Sequence, residues 1–334
     1  MAKAVWYPAA TSKELGRAPL GIAFLGQRLV LFRGQGGVPS ALLDRCPHRG
    51  VSLSLGEVRG GDLACPYHGW RFGADGRCTL IPSASDAEPR PKCAADAFPC
   101  VEAQGTVWVS STRERPDHAP SWPRVGEPGY RDVELLNRIE CPQLQVVQNF
   151  VDCAHTGILH RGLFRGEPSK EIRAHVELTP DGVAAENFGE TNPTGLLVRL
   201  LQRGNGGVRH TDTFRAPHTV EVNYWWGERH LVTTSICTPE TDTTTRVYTR
   251  IAMKFGLMDP LLLIAIRPFT ARIFQQDKRI LEDQARQLKR YPEAPRASSA
   301  ADLPCLWVEE AHRAATEPAA PPVSPRTKDV QYKL

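Results

Sequence analysis

The chain has 334 residues, 41% of them hydrophobic, enough for two domains with cores of their own. Its 41 basic and 37 acidic residues leave a formal charge of +4 with no basic block, which speaks against a nucleic-acid partner. Nine scattered cysteines speak against a disulfide framework and for a reducing, cytoplasmic setting.

The start, MAKAVWYPAATSKELG, has no basic segment followed by an apolar one, so no secretory signal is expected. The longest apolar run, Leu261 to Ile266, falls far short of the roughly twenty residues that cross a bilayer, so no membrane span is expected. From Gly21 to Arg45 the pattern GIAFLGQRLVLFRGQGGVPSALLDR reads as short strands punctuated by Gly turns, and Asp62–Cys65 and Thr106–Ser110 continue it. Such runs predict a small antiparallel β domain.

Out of it project two loops. The stretch CPHRGVSLSLGEVRGGDLACPYHGW, Cys46 to Trp70, pairs Cys46 with His48 and Cys65 with His68, with sixteen residues between His48 and Cys65. Two thiolates and two imidazoles suit either a tetrahedral zinc or a Rieske [2Fe-2S] centre, in which two Cys hold one iron and two His the other. Zinc fingers usually place Cys pairs before His pairs. Here each loop gives one of each, so each can supply one ligand to each of two irons. CPHRG and CPYHGW at this separation closely resemble the Rieske family. The resemblance implies that Cys46 and Cys65 hold the inner iron and His48 and His68 the outer one, with Gly50 and Gly69 where backbone must approach the sulfides and turn. Neutral His ligands raise the cluster's potential and make it an acceptor from ordinary reductases. The polar, Pro-rich STRERPDHAPSWPRVGEPG then marks the exit from the domain, near residue 113.

Gln145 to His160, QVVQNFVDCAHTGILH, is predicted to be a helix. On an ideal helix His155 and His160 lie about 140° apart, too far to share a metal, so the chain must bend between them, and Gly157 places the expected distortion at residues 156 to 158. Asp152 and His155, three apart, are neighbours on one face. The pattern DxxHxxxxH resembles the iron-binding motif of the Rieske non-haem iron oxygenases, homotrimeric monooxygenase and demethylase types above all. That resemblance makes His155 and His160 ligands of a mononuclear Fe(II), and lets the Asp152 carboxylate accept a hydrogen bond from the His155 ring nitrogen that iron does not use. Asn149 is a further candidate beside them.

Thr179 to Met253 reads as a β-rich run, with Trp225 and Trp226 on opposite faces of an antiparallel sheet. A long helix is expected from Asp259, with Pro260 at its first position, to about Tyr291, kinked at Pro268. Phe269, Ile273, Phe274, Ile280, Leu281 and Leu288 form one stripe, and Asp277 lies within it. A carboxylate there needs a cation: an Arg such as Arg272 or Arg279, or a metal. QQDKRILEDQ resembles the segment that supplies the carboxylate ligand in the same family, which makes Asp277 the third iron ligand. Beyond Tyr291, Ala, Pro and Ser-rich stretches read as surface strap or disordered tail around a short helix, CLWVEEAHRAA. The remaining His residues, His118, His175, His210, His218, His230 and His312, form no spacing pattern.

The resemblance therefore implies an α+β chain: an all-β Rieske domain (1–113), a helix-grip, START-like catalytic domain with an antiparallel sheet and long helices (114–295), and a C-terminal strap and tail (296–334). Two His and one carboxylate on one face of Fe(II) leave open positions for O2 beside a small or medium organic substrate. No GxGxxG fingerprint or plant-type CxxxxCxxC run is present, so NAD(P)H chemistry is expected on a separate reductase or ferredoxin. In the family one subunit's cluster serves its neighbour's iron. By that analogy His68 of one chain meets Asp152 and His155 of the next in a head-to-tail homotrimer. Hydroxylation or demethylation is the leading expectation. Arene cis-dihydroxylation, steroid or specialised-metabolite hydroxylation, and a Rieske electron carrier without oxygenase activity stay open.

Overall fold

The computed structural model describes residues 3–85, 93–163, 171–190 and 207–334, so residues 191–206 of the expected β-rich run lie outside the described residues. The chain divides into two compact units, one of Lys3–Ser121 with Thr238–Asp242, the other of Trp122–Cys237 with Thr243–Leu334.

The first unit holds three small antiparallel sheets: β1 (Trp6–Thr11) with β11 (Thr106–Ser110) and β10 (Cys100–Ala103); β2 (Leu20–Phe24), β3 (Gln27–Arg33), β4 (Pro39–Leu43) and β9 (Ala97–Phe98); and β5 (Glu57–Arg59), β6 (Asp62–Ala64), β7 (Arg71–Phe72) and β8 (Cys78–Leu80). Strand β3 explains how they are joined. Its run LVLF is buried on both faces: Leu29 and Leu31 enter a core with Phe24 and Val107, while Val30 and Phe32 enter a second with Leu42, Leu63, Phe72 and the two cysteines Cys46 and Cys65. Period-two alternation thus makes one strand serve two cores, and the second roots both loops.

Beside those loops the hairpin from β7 to β8 turns at Asp75-Gly76. Gly76 is at φ +80°, and a Cβ there would lie 1.9 Å from the carbonyl oxygen of Ala95. Left-handed backbone costs an ordinary residue about 1–2 kcal/mol, and a clash with fixed backbone costs more. Gly76→Ala should therefore destabilise the first unit by about 3 kcal/mol, seen as a lower melting temperature and early loss of cluster colour on heating. An unchanged melting curve would contradict this.

The second unit is built on one eight-stranded antiparallel sheet in the order β12 (Arg131–Ile139), β18 (Thr244–Lys254), β17 (Arg229–Thr241), β16 (Thr219–Trp226), β15 (Arg209–Arg215), β14 (Gly182–Phe188), β13 (Glu171–Thr179), β19 (Arg326–Lys333). Its helices are α1 (Gln143–Val151), α2 (Thr156–Leu159), α3 (Asp259–Arg290) and α4 (Leu303–Thr316). Val146, Val147 and Val151 of α1, Phe274 and Leu281 of α3, and Trp307, Val308 and Ala311 of α4 bury against Val176, Val183 and Val247 of the sheet. Removing that apolar area from water is what holds these helices in place. Among the described residues no helix is long and apolar enough to cross a membrane.

The sequence expectations need correction at several elements. Arg326–Lys333, read as part of a tail, is an edge strand along β13, from Glu171↔Lys333 to Leu178↔Arg326. RTKDVQYK has little apolar content, so its strand state comes from an open sheet edge and not from its own pattern. Ile280, placed on the buried stripe of α3, is 48% exposed, whereas Phe274, Asp277 and Leu281 are 7%, 3% and 2% exposed. Helix α3 itself runs from Asp259 as expected and continues through Pro268.

Candidate metal centres and their cavity

In the first unit the two motif loops are built alike. The Gly50 N–H donates to the Cys46 carbonyl and the Cys46 N–H to the Val51 carbonyl, both at 2.8 Å; the Gly69 N–H donates to the Cys65 carbonyl at 3.1 Å and the Cys65 N–H to the Trp70 carbonyl at 2.8 Å. Gly50 and Gly69 close these turns at φ +75° and +69°, and at Gly69 a Cβ would also press on Pro82 at 3.2 Å. Cys46 and Cys65 are buried, at 1% and 4% exposure, while His68 is exposed and His48 half-buried. The imidazoles of His48 and His68 stand edge to face, centroids 4.6 Å apart, and Trp70 stacks on His48 at 4.4 Å. Burial pushes the Cys46 thiol up, and the backbone N–H groups of His48 and Arg49 oppose that by favouring thiolate. Among the described residues the buried Nδ1 of His48 has no hydrogen-bond partner. Two buried sulfurs, that of Cys46 with backbone N–H donors, beneath an uncommitted imidazole nitrogen fit a two-iron cluster.

In the second unit the expected helix over Gln145–His160 is in fact two. Helix α1 stops at Val151 and α2 begins after His155, so the break falls at residues 152–155, before the expected 156–158. Its cause is Asp152. Asp152 leaves the helix at ψ 102°, and its Oδ1 accepts the backbone N–H of Ala154 at 2.8 Å and of His155 at 3.4 Å. A carboxylate that satisfies downstream amides competes with the helix for them. Gly157 is simply buried within α2.

The break turns both imidazoles to one point. His155 Nε2 and His160 Nε2 lie 3.3 Å apart, and Asp277 Oδ1 of α3 is 3.5 Å from the first and 3.1 Å from the second. Donors about 2.1 Å from one ion and at right angles would be about 3.0 Å apart. The tautomer fits as well: the Gln276 amide oxygen lies 2.9 Å from His160 Nδ1 and can only accept, so Nδ1 carries the proton and Nε2 its lone pair. Asp277 Oδ1 is buried without a hydrogen bond of its own. Among the described residues no Arg pairs with Asp277; its neighbours are the two imidazoles. Burial pulls the His155 imidazole down, but Asp152 and Asp277 outweigh it and raise it to about 10. Burial pushes Asp277 up, yet the same imidazoles hold it below its usual range. A buried acid and a proton-holding imidazole form the charge pattern that a dication replaces. Asp152 Oδ2 lies 3.6 Å from His155 Nδ1, beyond hydrogen-bond length but on the ring edge away from the triad.

Gln276 was not legible beforehand, since an amide beside a ligand has no pattern of its own. Gln276→Leu should lower Fe(II) affinity 10- to 100-fold by freeing the tautomer and the ring's rotation. Equilibrium metal titration measures this, and unaltered affinity would remove Gln276 from the site.

The triad opens on a cavity of about 190 Å³ whose walls include Asn149, Phe150, Tyr224, Trp226, Phe269 and Phe274. Trp226 lines it, while Trp225 stacks on His230 and carries Arg209 over its ring. A second polar group, absent from the sequence expectations, shares the wall. His210 and Asp212, two apart on β15 and so on one face, meet Glu190 and Cys153 there; His210 Nδ1 is 2.6 Å from Glu190 Oε1, and Nε2 is 3.0 Å from Asp212 Oδ1.

The geometry defines a two-centre metalloprotein, with a Cys2His2 pair of loops in one unit and a two-His, one-carboxylate triad in the other. Residues 5–99 match the Rieske [2Fe-2S] domain, and residues 139–315 match the vanillate O-demethylase oxygenase C-terminal domain. The chain is 28% identical to the oxygenase component of dicamba O-demethylase from Stenotrophomonas maltophilia over 86% of its own length and 89% of the relative's. It is 30% identical to the oxygenase component of chloroacetanilide N-alkylformylase from Rhizorhabdus wittichii over 83% and 84%. The crystal structure of dicamba monooxygenase bound to 3,6-dichlorosalicylic acid superposes with a TM-score of 0.81 at 26% identity, covering 95% of this chain and 98% of that one. The chain belongs to the Rieske-domain oxygenase (alpha) components, closely related to the dicamba, vanillate and toluene-sulfonate monooxygenase systems. It is an oxidoreductase with non-haem iron monooxygenase activity that hydroxylates or demethylates a small organic substrate alongside a separate reductase.

Proposed function

We propose that the second unit oxidises a substrate methyl group at a mononuclear Fe(II) held by His155, His160 and Asp277, and that the first unit feeds it electrons through a [2Fe-2S] cluster held by Cys46, Cys65, His48 and His68. The observation that carries the reading is the convergence of His155 Nε2, His160 Nε2 and Asp277 Oδ1 within 3.5 Å at the wall of a largely apolar cavity. When bound there, ferrous iron supplies an open face on which O2 is reduced beside the substrate. The balance is one O2, two electrons and two protons per C–H bond: one oxygen enters the bond and the other leaves as water. A hydroxylated N- or O-methyl group then releases formaldehyde.

The chain's own residues set the conditions. Gln276 holds the proton on His160 Nδ1, and the apolar walls exclude bulk water. Asp152 fixes the turn that aims His155. Electrons come from NAD(P)H through a separate reductase or ferredoxin. In a head-to-tail homotrimer of cytoplasmic protein, His68 of one chain would reach Asp152 and His155 of the next; the exposure of His68 and the 30% exposure of the Asp152 side chain support this. Asn149 contributes at the cavity wall. We place the Rieske domain at residues 1–113, a helix-grip catalytic domain at 114–295 and the C-terminal segment at 296–334.

The test supplies the protein with a surrogate reductase, NADH and a panel of methyl ethers and methylamines. Substrate-dependent NADH consumption with stoichiometric formaldehyde supports the reading. Electron uptake by the cluster without oxygen consumption, for every substrate, would reduce the chain to a carrier.

A further inference from the structure

The cavity's charge selects its guest. Among the described residues lining it there is no Lys and no Arg, and the acids are Asp152, Asp212 and the triad's Asp277. His210 is the cationic group of the wall outside the triad, and it is fully engaged. Both ring nitrogens face carboxylate oxygens, Glu190 at 2.6 Å and Asp212 at 3.0 Å, so the ring donates at both and is held as imidazolium. Its face is covered by Tyr224, stacked at 4.2 Å. No donor is left with which His210 could meet a guest anion.

Asp212 is fixed from behind. Its Oδ2 accepts the Asn187 amide at 2.9 Å, and Asn187 is itself oriented by the Tyr332 hydroxyl at 2.9 Å. A second acceptor waits on the wall: Asn149 Oδ1 is buried and has no partner among the described residues. The Trp226 indole N–H, also buried and without a partner among them, is a neutral donor. Around these groups stand the aromatic side chains of Phe150, Tyr224, Trp226, Phe269 and Phe274. Aromatic rings with a carboxylate and an amide oxygen favour a cation, whereas a buried anion without a counter-charge is strongly disfavoured.

We propose that this cavity takes an N-methylated amine in its cationic form, with Asp212 and Asn149 receiving the ammonium and the aromatic walls its methyl groups, and that it rejects aryl carboxylates and sulfonates. The inference rests on the oxygenase reading for what happens to the methyl group, but concerns binding alone. His210 acts as a positioning residue: its two-sided ion pairing holds Asp212 in place and spends the one cation that, among the described lining residues outside the triad, an acid could use.

Three probes of similar size decide it, titrated by calorimetry without oxygen into the full-length protein carrying both metal centres: N,N-dimethylbenzylamine, a cation at pH 7; N,N-dimethylbenzamide, neutral; and 4-(dimethylamino)benzoate, an anion. The amine should bind at least about tenfold more tightly than the amide, and the benzoate should show no binding. Asp212→Asn should weaken the amine about tenfold and leave the amide within about threefold. The inference is overturned if no probe binds, if the amide or benzoate binds as tightly as the amine, or if a folded Asp212→Asn protein keeps the preference. Should that variant not fold, the ranking on the unsubstituted protein decides alone. Formaldehyde is assayed separately. Selective amine binding without formaldehyde from any probe would leave the inference standing and count against the oxygenase reading; formaldehyde from the benzoate would do the reverse.

Discussion

Asp277→Ala should remove the mononuclear iron and reduce turnover by more than about 10³-fold while the cluster's visible absorption stays intact. The expectation exceeds the 10- to 100-fold range of changes outside the ligand set, because Asp277 is the anionic member of the triad. At 3% exposure it is held below its usual pKa range by two imidazoles, whose Nε2 nitrogens stand 3.3 Å apart. Without the carboxylate, two neutral imidazoles bind Fe(II) poorly. Asp277→Glu moves the oxygen by one methylene in a packed wall and should retain iron with weakened affinity. Metal analysis with the absorption spectrum reads both results, and a third iron retained at normal affinity in the Ala variant would refute the assignment.

Asp152 carries the second large effect, and two substitutions separate its roles. Its Oδ1 holds the Ala154 and His155 amides, which makes the turn, and its Oδ2 faces the outer edge of the His155 ring. Asp152→Asn keeps an oxygen for the turn and removes the charge. Both metal centres should remain, and turnover should fall by about 10²-fold or more, the size of loss expected when a group oriented in the reacting assembly goes. Asp152→Ala loses the turn as well, so it should loosen the mononuclear site while the cluster stays intact, and lose turnover at least as fully. Single-turnover oxidation of the reduced cluster is the discriminating readout. A slow cluster step with normal iron content supports a bridge, while full activity with normal coupling in Asp152→Ala would end that role.

Much of this was legible because metal chemistry leaves local signatures. Cys46, His48, Cys65 and His68 fall in two short loops whose order and Gly positions are fixed by the turn they must make, and the structure brings them together. His155 and His160 were harder: their spacing demanded a bend, yet its position was missed, because Gly157 drew attention while the helix breaker is the carboxylate of Asp152. Asp277 was readable as an acid on an apolar stripe. Its neighbour on that stripe, Ile280, is exposed, because Leu281 beside it faces the core and one residue turns a helical side chain by about 100°. Strand β19 and the His210 cluster were invisible for one reason. Both arise from contacts between distant segments: Ile172 meets Tyr332 in the sheet, and His210 meets Glu190 across β15 and the end of β14's run, where no period in the local sequence announces the partner.

The measurement that bears most directly on the central claim is the count of iron and acid-labile sulfide per chain, made on the purified protein and on its Asp277→Ala variant. A two-centre relay predicts three irons and two sulfides, two of the irons from the cluster and one from the triad, falling to two irons and two sulfides in the variant. Zinc in place of sulfide-bound iron at Cys46 and Cys65, or only two irons in both proteins, would contradict it.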